Sequence, residues 1–243
     1  MNNIKDLLLL NFLNVTNRAI YCGEFDIPKI CCTTTVYPDF LALDSERRLF
    51  NKTIQTGVCF FRYDKQFNGY NGLYNAIYYN KEKELLKFKQ KYKGVVFVIE
   101  IDPSLCGDVP RIENLYRIFQ RCVVSLWLTM VLGIIVIPLI SYANEESFGD
   151  MLLGIDPNST VVAFGIKGNM NNLEERELLR KAVKYVVDRL SLKAIVVYSV
   201  CGQDSEVYEV FSYAIEKGIE LIIPQNTLRE QNQKKWRNKN GEI

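Results

Sequence analysis

The chain has 243 residues, which is enough for one large α/β domain or two small domains. Its composition is that of a folded protein, with 48% hydrophobic and 24% charged residues, and its net charge is only +2. The sequence contains no histidine, which excludes Ser-His-Asp and Cys-His catalysis, imidazole acid–base chemistry and His-ligated zinc.

The seven cysteines are odd in number and include no CxxC pair, and several of them lie in apolar stretches. This pattern is typical of reduced, buried cysteine rather than of a disulfide framework or a zinc site. We therefore predict a reducing compartment, with the cytoplasm as the default location. No cofactor is assigned, and a divalent metal held by oxygen ligands stays open as an alternative.

The first third of the chain contains short and irregular elements. Residues 1–28 are predicted as a helical extension with a helix over Ile4–Leu13, and the leucine run inside that helix is too short for a signal peptide. Asp44 is predicted to cap a short helix that continues to Phe50. Strands are predicted at Lys29–Val36 and Gly57–Phe61, and a structured loop rich in Asn, Gly and Tyr at Gln66–Tyr79.

From Val95 to Ile223 the chain alternates regularly between β-branched strands and amphipathic helices. This alternation predicts parallel strands that are joined by crossover helices. The predicted strands are Val95–Ile101, Ile134–Ile140, Thr160–Ile166, Lys193–Ser199 and Ile219–Pro224. The predicted helices are Lys81–Lys93, Arg111–Leu132, 172–190 and Ser205–Lys217, with Asn172 and Glu175 in the positions of a capping box.

One stretch, Cys122–Ala143, has no charged residue and is long enough to span a membrane as a helix. An alternative interpretation divides it between an amphipathic helix that ends at Leu132 and a buried strand, Ile134–Ile140. Gly133 stands where a helix C-cap belongs, and the flanks lack a clear Lys/Arg asymmetry. We favour the helix–strand interpretation and expect no membrane span.

The strands number six to eight from about residue 30 onward. This count predicts an α/β fold of the (β/α)-barrel type, irregular or incomplete at its N-terminal side, with an open doubly wound parallel sheet as the alternative. Residues 1–226 are expected to form a single domain. Residues 227–243 are predicted as a basic, flexible tail, because no apolar periodicity continues beyond Asn226.

In a parallel fold the polar residues that follow the strands share one edge of the sheet, here called the rim. Its carboxylates and cations are of the kind that bind a divalent metal or a phosphate. The candidate catalytic residues are Asp64, Asp102 and Glu145. The candidate binding residues are Arg62, Tyr63, Ser104, Arg117, Tyr142, Asn144, Lys167, Asn169, Gln225 and Asn226, together with Lys234, Lys235 and Arg237 of the tail.

The order of several motifs resembles the family called domain of unknown function 4417, which occurs in phages, plasmids and other mobile elements of bacteria. The similar segments are Gly57–Phe67, the Ile101–Ser104 motif with Pro110 and Arg117, Gly133–Pro138, Ser147–Phe148, Gly154–Ile155 and Val161–Gly165. The Asp–Pro order at residue 102 and the Tyr at 142 depart from the family pattern. The resemblance covers about residues 28–226 and implies a mobile-element setting without an assigned reaction.

Three functions remain open at this point. The first is a phage or mobile-element accessory protein that binds nucleic acid or a nucleotide at the rim, with help from the basic tail. The second is an inhibitor or interaction protein that contacts a host defence complex through the aromatic-rich loop at residues 63–79. The third is a metal-dependent hydrolase or nuclease that uses the three candidate carboxylates.

Overall fold

A computed structural model describes residues 11–61 and 69–240. Most of the predicted helix Ile4–Leu13, and the candidate residues Arg62, Tyr63 and Asp64, lie outside these described residues. Where a helical extension was predicted, the described part has one short helix, α1, and a two-stranded antiparallel hairpin. The elements are α1 (Leu13–Thr16), β1 (Tyr21–Cys22) and β2 (Ile27–Pro28).

The first parallel sheet has the strand order β3-β4-β5-β6. Its strands are β3 (Phe40–Leu43), β4 (Thr56–Cys59), β5 (Phe97–Ile99) and β6 (Ile135–Ile137). The helices along its crossovers are α2 (Leu73–Tyr78), α3 (Glu82–Lys91) and α4 (Arg111–Leu132). Between β3 and β4 the predicted helix to Phe50 is reduced to a 3₁₀ turn at Arg47–Leu49.

The second parallel sheet has the strand order β10-β9-β8-β7. Its strands are β7 (Leu139–Ile140), β8 (Val161–Gly165), β9 (Ala194–Tyr198) and β10 (Glu220–Ile222). Its helices are α5 (Leu173–Val187), α6 (Asp204–Val210), α7 (Ser212–Glu216) and α8 (Thr227–Asn240). The Asn172 side chain accepts the Glu175 N–H at 2.8 Å, so this predicted helix cap is confirmed.

The two sheets meet at Pro138, which separates β6 from β7. Proline has no N–H to donate to β5, whereas its carbonyl accepts the Ala163 N–H of β8 at 2.7 Å. The strand therefore pairs with β5 before Pro138 and with β8 after it. The prediction of parallel strands joined by helices is confirmed, but the described strands form two sheets rather than a closed barrel.

Buried side chains replace the backbone ladder at this junction. The Leu139 N–H donates to Glu100 Oε2 at 3.2 Å, and the Leu139 carbonyl accepts from Arg121 Nη1 at 3.1 Å. Ser125 donates to the other Glu100 oxygen at 2.8 Å. Glu100 and Arg121 form an ion pair that is almost wholly buried. Arg121 Nε lies 3.2 Å from Glu100 Oε2, in a geometry that makes no hydrogen bond. Each charge is thus held by a partner of opposite sign.

A second contact links the outer strands of the two sheets. Phe40 of β3 and Gln225, which follows β10, form an isolated parallel bridge. The Leu41 N–H donates to the Gln225 carbonyl at 2.7 Å, and the Gln225 N–H donates to the Asp39 carbonyl at 2.9 Å. The strand predicted at Lys29–Val36 does not form, because only Ile30 makes a bridge there, to Ile155.

The apolar side chains form three buried clusters. One lies between the first sheet and helices α1–α4, and another lies between the second sheet and α5–α7. The third contains inward-facing residues of both sheets, among them Leu41, Ile99, Ala163 and Val196. Because period-2 alternation points one side of each strand toward this third cluster, the inner faces of the two sheets share a core.

Helix α4 has the length and composition of a membrane-spanning helix, the one such helix found among the described residues. Of its most apolar window, 61% is buried inside the protein, including Val123, Trp127 and Leu128. Gly133 ends the helix with a left-handed φ of 68°, and the chain continues into β6. The predicted helix–strand division of residues 122–143 is confirmed, and the burial is that of a core helix.

Candidate functional site

The carboxyl ends of all eight parallel strands lie on one side of their sheets, which places the rim there. Beside the junction at Pro138, two predicted residues, Asp102 and Ser104, lie on the segment that follows β5. Asp102 accepts a hydrogen bond from Ser141 Oγ at 3.0 Å. Ser104 is exposed, and its carbonyl accepts from Arg117 Nη1 at 2.5 Å. Arg117 also bonds Glu113 at 3.1 Å, so its guanidinium ties the β5–α4 loop to α4.

Tyr142 and Asn169 are brought together by the fold. Asn169 Nδ2 donates to the Tyr142 hydroxyl at 3.2 Å, and the Tyr142 ring lies edge-on to Phe148 with 5.5 Å between ring centroids. Burial raises the pKa of the Tyr142 hydroxyl above its ordinary value, although the bond from Asn169 acts in the opposite direction. Tyr142 is therefore a neutral phenol at physiological pH rather than a phenolate.

Asn144 and Glu145 begin a 3₁₀ helix, Glu145–Gly149, on the same side of the protein. The Ser147 N–H donates to Asn144 Oδ1 at 3.1 Å, and the Asn144 N–H donates to Ser147 Oγ at 3.1 Å, which completes a capping box. Glu145 pairs with Lys181 of α5 at 2.6 Å, in an exposed position. Asn144 thus has a structural role in addition to its position at the rim, and Glu145 is already paired with a cation.

The remaining predicted residues follow β8 and β10. Lys167 is exposed and forms no ion pair with the described part of the chain. Asn226 is buried, where its Nδ2 donates to the Ser199 carbonyl at 2.7 Å and its Oδ1 caps α8 by accepting the Arg229 N–H. Gln225 forms the bridge to Phe40 described above. Its Nε2 also donates to Gln233 Oε1 of α8 at 3.4 Å. Both residues therefore contact α8, and neither is an isolated surface ligand.

Within the described ranges, no group of three Cys, Asp or Glu side chains is arranged to hold a metal ion. Of the three candidate carboxylates, Asp102 bonds Ser141, Glu145 pairs with Lys181, and Asp64 lies outside the described residues. The described geometry gives no support to a carboxylate metal centre.

A crevice of about 410 Å³ opens between the loop that follows β5 and the segment that follows β7. Its walls include Cys106 and Gly107 on one side and Asn144 and Gly149 on the other. It lies at the rim, beside the point where the two sheets part. In open α/β folds, ligands bind outside the carboxyl ends of strands at such a point of divergence.

An ion pair that the sequence analysis did not identify crosses this crevice. Arg111, the first residue of α4, donates through Nε and Nη2 to the two oxygens of Asp150 at 2.9 and 2.8 Å. Asp150 is 9% exposed, whereas the Arg111 side chain is 64% exposed. No local signal in the sequence relates two residues that are 39 positions apart.

The segment predicted as a flexible tail forms α8, which packs at the rim against residues 199–204. Arg229 is 2% exposed; it donates to the carbonyls of Ile223 and Pro224 at 2.5 and 3.1 Å and pairs with Asp204. Asn232 Nδ2 donates to the Val200 carbonyl at 2.8 Å. Because these contacts are polar, the helix has no apolar periodicity that would reveal it in the sequence.

The opposite face of α8 is basic. Lys234, Lys235, Arg237 and Lys239 are all exposed, and none forms an ion pair with the described residues. The buried Arg229 and the half-buried Asn232 and Trp236 recur at helical spacing on the docked face, so Lys234, Lys235 and Arg237 project away from it, and Lys239 lies near the end of the helix. Gly202 lies against this helix, since a Cβ there would come within 3.3 Å of Trp236 Cβ and the Asn232 carbonyl oxygen.

Comparison with known protein families identifies one match. The model of the family described as domain of unknown function (DUF4417) matches residues 19–214, which is most of the chain. The resemblance inferred from the ordered motifs is therefore confirmed. No curated protein and no solved structure matches the chain. The match ends before α8, so the basic helix lies outside the family segment.

Proposed function

The chain belongs to the DUF4417 family, whose function is unknown, and we propose that this member binds nucleic acid through the rim and the basic face of α8. The phosphate backbone is the chemical group that an array of exposed lysine and arginine side chains binds best. A mobile-element accessory role is part of the same proposal.

The observation that carries this proposal is the contrast between the cations of α5 and those of α8. The four cations of α5 that contact carboxylates are Arg176, Arg180, Lys181 and Lys184, and their partners are Glu206, Glu209, Glu145 and Asp188. The four exposed cations of α8 have no such partners among the described residues. Neutralised charges attract a polyanion weakly, whereas unpaired charges close together on one helix add their fields.

Lys167 supports the same location. It follows β8, which pairs with β9, and the loop after β9 carries the contacts to α8. This arrangement places Lys167 on the same side of the protein as the basic helix. An exposed lysine there extends the positive surface toward the middle of the rim.

The finer architecture belongs to the proposal as well. We propose that the two sheets act together as an irregular, incomplete barrel with one shared rim, since their inner faces share a core and the Phe40–Gln225 bridge links their outer strands. A nucleic-acid strand bound along the rim would then run from α8 across the ends of β9 and β8 toward the crevice.

Fluorescence anisotropy with labelled single-stranded and duplex DNA tests the proposal. The test variant replaces Lys234, Lys235 and Arg237 with glutamine. The matched control, the α3 variant, replaces Lys83 and Lys89 of α3 and Lys93 just after it with glutamine; these three are also exposed and form no ion pair with the described residues. Both variants lose three positive charges, so a difference between them reports the position of the charges rather than their number.

We expect the native chain and the α3 variant to bind DNA at low salt, and we expect the α8 variant to bind at least tenfold more weakly. Losing three phosphate contacts accounts for a change of that order, about 1.4 kcal/mol or more. Equal weakening in both variants would contradict the assignment to α8. If the native chain bound neither single-stranded nor duplex DNA at low salt, the proposed function would be rejected.

A further inference from the structure

We propose that the crevice between the β5–α4 loop and the segment after β7 binds a phosphate monoester through the guanidinium of Arg111. This site is separate from the basic face of α8, and its argument does not depend on DNA binding by that helix. The ligand is defined by the chemistry of the crevice, as a small molecule or a strand end that carries a terminal phosphate.

The position and size of the crevice are those of a small-molecule site. Its volume of about 410 Å³ lies within the ~300–1,000 Å³ range of such sites. Its two walls follow β5 and β7, which belong to different sheets because Pro138 and the Glu100–Arg121 pair end the β5–β6 ladder. The space is therefore a consequence of the fold and not of one surface loop.

Arg111 is oriented for ligand binding by its partner. Two of its nitrogens, Nε and Nη2, are fixed by the largely buried Asp150 carboxylate. The other terminal nitrogen, Nη1, has no hydrogen-bond acceptor among the described residues, and the side chain is 64% exposed. A guanidinium held along one edge loses little further entropy when its free donors bind a phosphate.

Other donors converge on the same space. The Asn144 side chain is fixed through Oδ1, which accepts the Ser147 N–H, and its Nδ2 lines the crevice close to Gly107. Arg111, which lines the crevice, is also the first residue of the 22-residue helix α4, where the helix dipole favours an anion. Donors on several sides suit a tetrahedral phosphate.

Two carboxylates, Asp150 and Glu146, also line the crevice, and Glu146 allows the charge of the ligand to be tested. The charge of Asp150 is balanced by Arg111, whereas Glu146 is exposed and forms no ion pair with the described residues. Glu146 should oppose an anionic ligand. The variant Glu146→Gln is therefore expected to bind a phosphate more tightly, which a site for a cation or an amine would not do.

Gly149 offers a way to block the crevice without touching the ion pair. It lines the space, and a Cβ added to it would meet no atom within 4 Å. The variant Gly149→Phe should place its ring in the crevice while Arg111 and Asp150 stay paired. It complements Arg111→Gln, which removes the proposed anchor but also breaks a contact between α4 and the segment after β7.

Isothermal titration calorimetry with a nucleoside monophosphate, with inorganic phosphate and with the unphosphorylated nucleoside tests the site. We expect the native chain to bind both phosphates and not the nucleoside. Arg111→Gln and Gly149→Phe should each weaken binding about tenfold or more, as expected when a charge-assisted bond is lost. No phosphate binding by the native chain, or unchanged binding by both variants, would overturn the proposal.

The source of the phosphate is resolved by a second pair of titrations, with DNA strands that carry or lack a 5′-phosphate. A preference for the phosphorylated strand that Gly149→Phe removes would assign the crevice to a strand end, and equal binding of the two strands would assign it to a free mononucleotide. The α8 variant should retain monophosphate binding, so failure of either proposal can be distinguished from failure of the other.

Discussion

Among the described residues, two arginines are buried, one in α4 and one in α8, and they hold very different regions together. Arg121 is enclosed by the apolar core beside a carboxylate, Glu100, that is itself 1% exposed. Arg229 lies at the edge of the protein, and the side chain of its partner Asp204 is 40% exposed. The same side chain thus serves a junction in the core in one case and a peripheral helix in the other.

The difference teaches which part of the molecule can change without loss of the fold. Helix α4 has twelve buried residues, eight of them apolar, so its position is fixed by apolar packing as well as by Arg121. Helix α8 is attached mainly by hydrogen bonds from Arg229 and Asn232 and by the contact of Trp236 with Gly202. We expect α4 to open only with global unfolding and α8 to open locally.

The largest effect is expected from breaking the buried pair at one end. Arg121→Met leaves the Glu100 carboxylate buried without a cation and should lower the free energy of unfolding by about 3–5 kcal/mol. Urea denaturation measures the change. The double variant Glu100→Gln with Arg121→Met should be less damaging than the single one, because no charge is stranded; a double variant that is equally or more unstable would contradict this account of the junction.

A smaller effect is expected from Arg229→Ala. The substitution removes the bonds to the carbonyls of Ile223 and Pro224, yet Asp204 can be solvated, so the loss should be about 1–3 kcal/mol. Amide hydrogen exchange should show lost protection in α8 and unchanged protection in α4. Loss of protection in both helices would show that α8 is not an independent unit.

Gly202→Val should displace α8 by a different route. The new side chain would press against Trp236 and the Asn232 backbone, with an expected cost of about 1–3 kcal/mol for overpacking. Limited proteolysis should then cleave within residues 227–240 sooner than in the native chain. The control is the same substitution at Gly149, where a Cβ would meet no atom within 4 Å. Gly133 is unsuitable as a control, because its φ of 68° makes any side chain strained.

The smallest effect on stability is expected from the three glutamine substitutions at Lys234, Lys235 and Arg237. These side chains are exposed and unpaired within the described structure, so the free energy of unfolding should change by no more than about 0.5 kcal/mol. Thermal denaturation checks this point. A larger loss would mean that the cations stabilise the docked helix, and weaker DNA binding could then reflect undocking.

The sequence predicted the elements that have a clear apolar period and missed those that are held by polar contacts or are too short to show a period. The alternation from β5 to β10 and the end of α4 at Gly133 follow from local patterns, and both are present. Strand β3 was missed because only four apolar residues mark it. Conversely, Lys29–Val36 has β-branched residues but no paired strand beside it, so composition alone overpredicted it.

The candidate site was predicted only in outline. The rim and residues such as Asp102, Tyr142 and Lys167 follow from the parallel topology. The contacts that shape the crevice, Glu100 with Arg121 and Arg111 with Asp150, join residues more than 20 positions apart, and no local periodicity encodes such a pair. The docking of α8 was missed for the same reason, since its partners lie in the loop after β9.

The most direct test of the central claim is the salt dependence of DNA binding. The logarithm of the binding constant should fall linearly with the logarithm of salt concentration for the native chain. The α8 glutamine variant should show a slope shallower by about 2 to 3, as expected for three lost phosphate contacts, while the α3 variant keeps the native slope. Identical slopes for all three proteins would contradict the claim that α8 contacts the phosphate backbone.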